Sequence, residues 1–151
     1  MASVKQVKGK MREVNRRVIE DFAAPFDIDA LQNSGIVQIV EQAIHEAKST
    51  SSRKQDPGYT PLVDIFLRWR ATSTREIPDD RFRRQWIRSR FAEWLLYPGR
   101  SPDDLPKTRL VRGVVFTQLD VYRNLRGVSL ADGATELCEY IIHQLQQADL
   151  W

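Results

Sequence analysis

The sequence predicts an all-α fold, a single domain over residues 1–151 built from five or six helices. Apolar residues recur three or four positions apart in nearly every segment, which is the spacing of an amphipathic helix. Residues that typically begin or end helices stand at the segment boundaries. Strict strand-like alternation occurs only in "RLVRGVVF" at residues 109–116, so a short strand remains an alternative there.

The first predicted helix covers residues 1–24 and ends before Pro25. Its apolar residues form one stripe, made of Val4, Val7, Met11, Val14, Val18 and Phe22. Basic residues recur on the opposite face: Lys5, Lys8, Arg12 and Arg16. Such a ridge suits a phosphate backbone or an anionic membrane surface. A solvated helix face, or pairing with a helix of another protomer, also explains the pattern.

The next two predicted helices are separated by a polar segment. Ser34 is the candidate N-cap of the second helix, which would bury Ile36 and Val40 on one face. Residues 49–59 are rich in serine and contain a Pro-Gly turn, so we expect a flexible loop. The third helix is expected to follow Thr60 as N-cap, with proline at its first position.

The remaining helices also carry local start and stop signals. Asp79 stands where a helix favours a cap and negative charge, and Pro98 should stop that helix. Gly127 is the candidate C-cap of the fifth helix, and Ser129 or Asp132 should start the last one. The fifth helix has two apolar sets: Leu110, Val114, Val121 and Leu125, and Val111, Val115, Leu119 and Tyr122.

The charge of the chain is small overall but unevenly placed. The formal net charge is +3, with 17 Arg against 6 Lys. Residues 1–20 hold six basic and two acidic side chains, and residues 66–100 hold nine arginines and four acidic side chains. Arginine favours bidentate contacts to phosphate or carboxylate and stacks on rings. Two basic zones on an otherwise neutral to acidic body therefore favour an anionic partner.

The segment "RFRRQWIRSRFAEWLLYPGR", residues 81–100, carries most of the functional signal. On a helix its apolar side chains form one patch of Ile87, Phe91, Trp94 and Leu95 and a second of Phe82, Trp86 and Tyr97. One core layer cannot cover both patches. The segment is therefore either the central helix of the bundle, with solvated arginines at its edges, or a helix that turns one patch toward a partner.

If the segment faces nucleic acid, three arginines on one ridge would neutralise phosphates: Arg81, Arg84 and Arg88. Trp69 and Trp86 are the candidate stacking platforms for bases. A second cluster a short loop away adds further basic side chains: Arg68, Arg70 and Arg75. These residues and the N-terminal ridge make up the predicted nucleic-acid site.

Signals for catalysis or metal binding are weak. Cys138 is the only cysteine, which excludes an intrachain disulfide and a cysteine-based zinc site, and we expect it in the core. His45 and His143 do not form a known metal-ligand spacing, and paired aspartates stand where helix capping explains them. Phosphate-loop, dinucleotide and nucleophile-elbow motifs do not occur. We therefore expect a protein that is not an enzyme and needs no cofactor or metal.

The sequence thus predicts a helical protein that binds RNA or another single-stranded nucleic acid within a larger assembly. Its size, helicity and basic zones resemble those of small subunits of ribonucleoproteins such as CRISPR effector complexes, at the level of class alone. A protein–protein interaction adaptor or self-assembling scaffold is the main alternative, and a membrane-surface binder through residues 1–20 is a third. The single cysteine and the absence of a long apolar run favour a cytoplasmic, reducing location.

Overall fold

The computed structural model describes residues 26–49 and 61–151, and these form six helices and no strand. The predicted all-α class is confirmed. The extent of the domain beyond these residues stays a prediction. The helices are α1 (Ile28–Ser34), α2 (Ile36–Lys48), α3 (Leu62–Glu76), α4 (Asp80–Leu96), α5 (Pro106–Arg126) and α6 (Leu130–Gln147).

Local capping chemistry sets several of these boundaries as predicted. The Asp79 carboxylate accepts hydrogen bonds from the backbone N–H groups of Arg81 and Phe82, at 2.8 and 3.4 Å, and so begins α4. Ser129 begins α6 by accepting from the N–H of Asp132 at 3.0 Å. Gly127 ends α5 in the left-handed conformation, with φ of 79°, which glycine adopts without a Cβ clash.

The start of the described chain differs from the prediction. The patterns give no helix over residues 28–34, yet α1 forms there with Asp27 as its cap. Ser34 ends α1 instead of capping α2, although its Oγ still accepts from the N–H of Ile36 at 3.2 Å. The N-cap of α2 is Gly35, whose φ of 85° turns the chain between the two helices. The left-handed glycine therefore separates α1, which the patterns do not predict, from α2.

The alternative of a strand in "RLVRGVVF" is wrong, because these residues lie inside α5. Val111 and Val115 from this segment share a buried face with Leu119 and Tyr122. Helical spacing places all four side chains on one side, whereas in a strand Tyr122 would lie on the face opposite the other three. Burial of this face against the rest of the core decides the conformation.

The α4 helix packs against α3, α5 and α6, and its predicted first patch lies in the core. Ile87, Phe91, Trp94 and Leu95 are all buried. The rings of Phe91 and Trp94 contact those of Phe66 and Trp69 on α3, with centroid separations between 5.3 and 6.4 Å. The prediction that α4 contributes a core face is confirmed, and Cys138 on α6 is buried as expected.

Two predicted features lie outside the described residues. These are the helix over residues 1–24 and the part of the predicted loop that follows Ser49. The N-cap of α3 is Pro61 and its first residue is Leu62, so the predicted cap at Thr60 with Pro61 as first helical residue is one position too early. Ser49 itself is described and caps the C-terminus of α2. Across residues 26–49 and 61–151, no helix has the length and apolar content that a bilayer span requires.

Candidate nucleic-acid interface

The second apolar patch of α4 lies on the surface. The side chains of Phe82 and Tyr97 are 50% and 53% exposed, and Trp86 is half-buried. The helix can present them because its opposite side supplies the buried core residues. One patch of the segment is therefore core, and the second lies at the surface through Phe82 and Tyr97, with Trp86 partly packed against the core. That the second patch meets a partner stays a prediction.

Each of these three rings carries an arginine guanidinium over its face. Arg81 lies 5.1 Å from the centroid of Phe82, and Arg90 lies 5.2 Å from that of Trp86. Arg100 lies 5.9 Å from the centroid of Tyr97. These are cation–π distances. We call this surface, made of Phe82, Trp86, Tyr97, Arg81, Arg90 and Arg100, the arginine–aromatic face.

The predicted ridge of Arg81, Arg84 and Arg88 is not a continuous phosphate-binding ridge, because two of its members bind a carboxylate. Arg84 donates from Nε and Nη2 to Glu139 Oε1 at 3.2 and 3.0 Å. Arg88 donates from Nη1 to Glu139 Oε2. Glu139 is a buried residue of α6, so Arg84 and Arg88 join α4 to α6. Arg81 alone of the ridge is exposed, with no acidic partner among the described residues.

Trp69 is not a stacking platform in this structure. Its side chain is only 1% exposed and lies among the rings of the core. Its indole Nε1 donates to Asp103 Oδ2 at 2.9 Å, so the polar edge of the ring is also occupied. The prediction of Trp69 as a ligand contact is therefore corrected, and Trp86 remains the one tryptophan of the predicted pair with an accessible ring.

The second predicted arginine cluster, Arg68, Arg70 and Arg75, also contains an arginine that binds a carboxylate. Arg68 donates from Nη2 to Asp103 Oδ1 at 2.6 Å, and Arg90 donates from Nη2 to Asp103 Oδ2 at 2.9 Å. Burial alone would raise the pKa of Asp103. Hydrogen bonds from Arg68 and Trp69 and the charges of Arg90 and Arg68 outweigh it, and they hold this pKa below its ordinary value. Asp103 is thus an ionised anchor inside a basic surface.

Arg70 and Arg75 keep exposed side chains on α3. Arg70 lies 5.4 Å from the centroid of the Trp151 ring. Arg70 lines a polar cavity of about 310 Å³ between α3, α4 and the C-terminal residues, and its lining also includes Arg83, Arg84 and Trp151. The predicted contacts Lys5, Lys8, Arg12 and Arg16 lie outside the described residues.

Two arginines of the face were missed by the sequence patterns. Arg90 follows Trp86 by four positions, which is the spacing that brings two helical side chains together, so this pair had a detectable signal. Arg100 follows the Pro98-Gly99 turn, where its N–H donates to the carbonyl of Tyr97 at 3.1 Å. That turn places the Arg100 guanidinium over the Tyr97 ring. Helical periodicity does not predict this contact, because the turn lies outside the helix.

The described residues contain no group of histidine, cysteine, aspartate and glutamate side chains placed to hold a metal ion. Burial, followed by the nearby charge of Glu139, raises the pKa of the Cys138 thiol. Burial and the charge of Arg84 lower the pKa of His143. Neither group lies on the arginine–aromatic face, and neither has the partners of an activated nucleophile or base.

Comparisons with known proteins do not identify the chain: no protein-family model matches it, and no curated protein or solved structure gives a significant match. Function is therefore argued from the site itself.

Proposed function

We propose that this chain binds single-stranded nucleic acid through the arginine–aromatic face of α4, without catalysing a reaction, as a small subunit of a larger assembly. The observation that carries the proposal is a row of two exposed rings, Phe82 and Tyr97, and one partly buried ring, Trp86, each paired with a guanidinium. Exposed aromatic side chains give bases a stacking surface. The guanidiniums of Arg81 and Arg100 can neutralise the backbone, whereas that of Arg90 is paired with Asp103.

A single strand fits this face better than a duplex does. Stacking on Phe82, Trp86 or Tyr97 requires bases whose faces are open, whereas the bases of a duplex are covered by their neighbours. From Phe82 to Tyr97, the C-cap of α4, the face extends about 22 Å, so it offers a track for several nucleotides instead of a pocket for one. Arg81 and Arg100 lie at its two ends, and no acidic partner of either is found in the described ranges.

Stacking is tested by fluorescence-polarisation titration of labelled single-stranded RNA, single-stranded DNA and duplex. Replacing Phe82 by alanine removes one exposed ring and should weaken single-strand binding about 5- to 150-fold, because stacking contributes about 1–3 kcal/mol per base. Phe116→Ala is the matched control, since Phe116 is another exposed phenylalanine but lies on α5. It should leave the affinity unchanged.

The result that contradicts the proposal is equal binding by wild type and Phe82→Ala, or equal loss in Phe82→Ala and Phe116→Ala. Preference for duplex over both single strands would also contradict it. Stronger binding of RNA than of DNA would assign the ligand within the proposed class.

A protein-interaction adaptor remains the second candidate. It is favoured by a separate observation, the exposed apolar side chains Leu110, Val121 and Leu125 on α5. Salt distinguishes the two functions, because phosphate binding weakens steeply as salt rises and an apolar protein interface responds little.

A further inference from the structure

The α5 helix has a second apolar face that no described element covers. Leu110 is 81% exposed, Leu125 is 55% exposed and Val121 is 40% exposed, and Val114 is partly buried between them. These four residues, which we call the outer stripe, lie on one side of the helix, away from buried Val115. Contiguous exposed apolar residues at helical spacing are typical of an interaction surface.

The outer stripe is symmetric about its own centre. Leu110 and Leu125 stand at equal distances from the midpoint between Thr117 and Gln118, and Val114 and Val121 do so as well. A two-fold interface brings the same patch of both copies together, so that residue i of one copy contacts residue j of the other and residue j contacts residue i. An apolar patch that is symmetric about its centre meets this condition, because apolar residues then face apolar residues. A partner of unrelated sequence imposes no such symmetry.

We propose that the outer stripe is a two-fold interface with a second copy of this chain, in which the two α5 helices pack antiparallel. Leu110 of each copy packs against Leu125 of the other, Val114 packs against Val121, and the axis passes near Thr117. The polar group at the axis is already satisfied, because Thr117 Oγ1 donates to the carbonyl of Gly113 at 3.1 Å.

Charge does not oppose this pairing. At about 100° per residue, Arg109, Arg112 and Arg123 lie on a different side of α5 from the outer stripe. Arg109 and Arg123 also have carboxylate partners, Asp104 at 3.3 Å and Asp120 at 3.1 Å. Lys107 is exposed on the same side of α5 as the outer stripe, but it stands beyond Leu110. In an antiparallel pair the two Lys107 side chains therefore lie at opposite ends of the apolar strip, and like charges are kept apart.

One helix face buries less area than a standard stable interface, so the dimer should be weak and depend on concentration. Analytical ultracentrifugation from about 1 to about 500 µM should show a reversible monomer–dimer equilibrium. This proposal does not depend on nucleic-acid binding by α4.

Disulfide trapping tests the antiparallel register. Within one chain, positions 110 and 125 are about 22 Å apart, which excludes an intrachain disulfide. Leu110→Cys/Leu125→Cys should therefore form covalent dimers under mild oxidation. Each single variant should form few, because in the dimer each new cysteine lies far from its own copy. Buried Cys138 should not compete.

Charge variants at the same positions provide a second measurement. Leu110→Lys/Leu125→Lys should raise the dimer dissociation constant about 10-fold or more, because like charges then face each other. Leu110→Glu/Leu125→Lys should retain the dimer, because each glutamate then faces a lysine. Circular dichroism should show both variants folded, since the replaced side chains are exposed.

The proposal is overturned if the wild type stays monomeric over the whole range, or if either single cysteine variant cross-links as efficiently as the double variant. A monomeric wild type that Leu110→Lys clearly destabilises would show that the outer stripe is covered by another part of its own chain.

Discussion

The Asp103 carboxylate holds together side chains from two helices. It lies in the connection between α4 and α5, and it accepts hydrogen bonds from Arg68 and Trp69 on α3 and from Arg90 on α4. Ser101 Oγ also contacts it, at 3.4 Å. Because Asp103 fixes Arg90, it also sets the position of the guanidinium that stacks on Trp86.

Replacing Asp103 by asparagine should lower the free energy of unfolding by about 2–4 kcal/mol, because two guanidiniums then lose their counter-charge next to the core. The loss should be smaller than the largest losses known for fully buried ion pairs, because Arg68 remains partly exposed. Urea denaturation measures the loss. Asp120→Asn, which breaks an exposed pair with Arg123, should cost less than about 0.5 kcal/mol. Equal losses of unfolding free energy in the two variants would contradict the proposal that Asp103 joins α3 and α4.

Asp103 should also give the protein a defined response to acid. Its folded-state pKa is lowered, so the unfolded chain binds the proton more readily. Stability from this site is therefore complete above the ordinary aspartate pKa of about 4, and it is lost as the pH falls through the folded-state pKa. We expect the stability difference between wild type and Asp103→Asn to shrink as the pH falls from about 6 to about 2.5. A difference that stays constant over this range would contradict the assignment.

At the scale of elements, α4 is organised into three sides. One side is core, the second carries the arginine–aromatic face, and the third reaches α6 through Arg84 and Arg88 on Glu139. This division explains how a helix that is apolar on two sides buries one patch in the core and leaves part of the other at the surface. It also separates arginines that support the fold from arginines that are available to a ligand.

The ion-pair cluster between α4 and α6 is testable by removal and replacement. Arg84→Met/Arg88→Met should destabilise the protein by about 2–4 kcal/mol, because it leaves the buried Glu139 carboxylate without a counter-charge. Adding Glu139→Met should recover most of the loss, because an apolar group of similar size replaces the stranded charge. Chemical denaturation of the two variants gives the comparison. If the third substitution lowers stability further, Glu139 has a role apart from these arginines.

Arg81→Glu serves as the contrasting variant, since Arg81 is exposed and lies on the same helix. It should shift stability by no more than about 0.5 kcal/mol. The three members of the predicted ridge therefore should not behave alike: one affects ligand binding, and two affect folding.

At the scale of the whole molecule, the class and most helix boundaries were predictable because they depend on local chemistry. Asp79, Gly127 and Ser129 act on backbone groups within a few residues, so periodicity and capping rules suffice. The helix α1 and the left-handed turn at Gly35 were not predicted, because the patterns gave no helix over residues 28–34 and so placed the first cap of this region at Ser34.

The candidate site was only partly predictable, since it depends on which helices meet. Trp69 and Trp86 have similar arginine-rich neighbours in the sequence, but Trp69 faces Asp103, which is far along the chain, and Trp86 does not. Glu139 likewise reaches Arg84 only after α6 packs on α4. Contacts between residues so far apart in the chain leave no local pattern in the sequence. The sequence therefore did not show that Trp69, Arg84 and Arg88 are occupied within the fold.

The most direct test of the arginine–aromatic face is the salt dependence of single-strand binding. Wild type is compared with Arg81→Gln/Arg100→Gln, which removes the two guanidiniums at the ends of the face and keeps its rings. Each phosphate neutralised on a single strand contributes about 0.7 to the slope of log K against log salt. The double variant should therefore have a slope smaller by about 1.4, with wild-type helicity. An unchanged slope, or no binding by the wild type at low salt, would contradict the account.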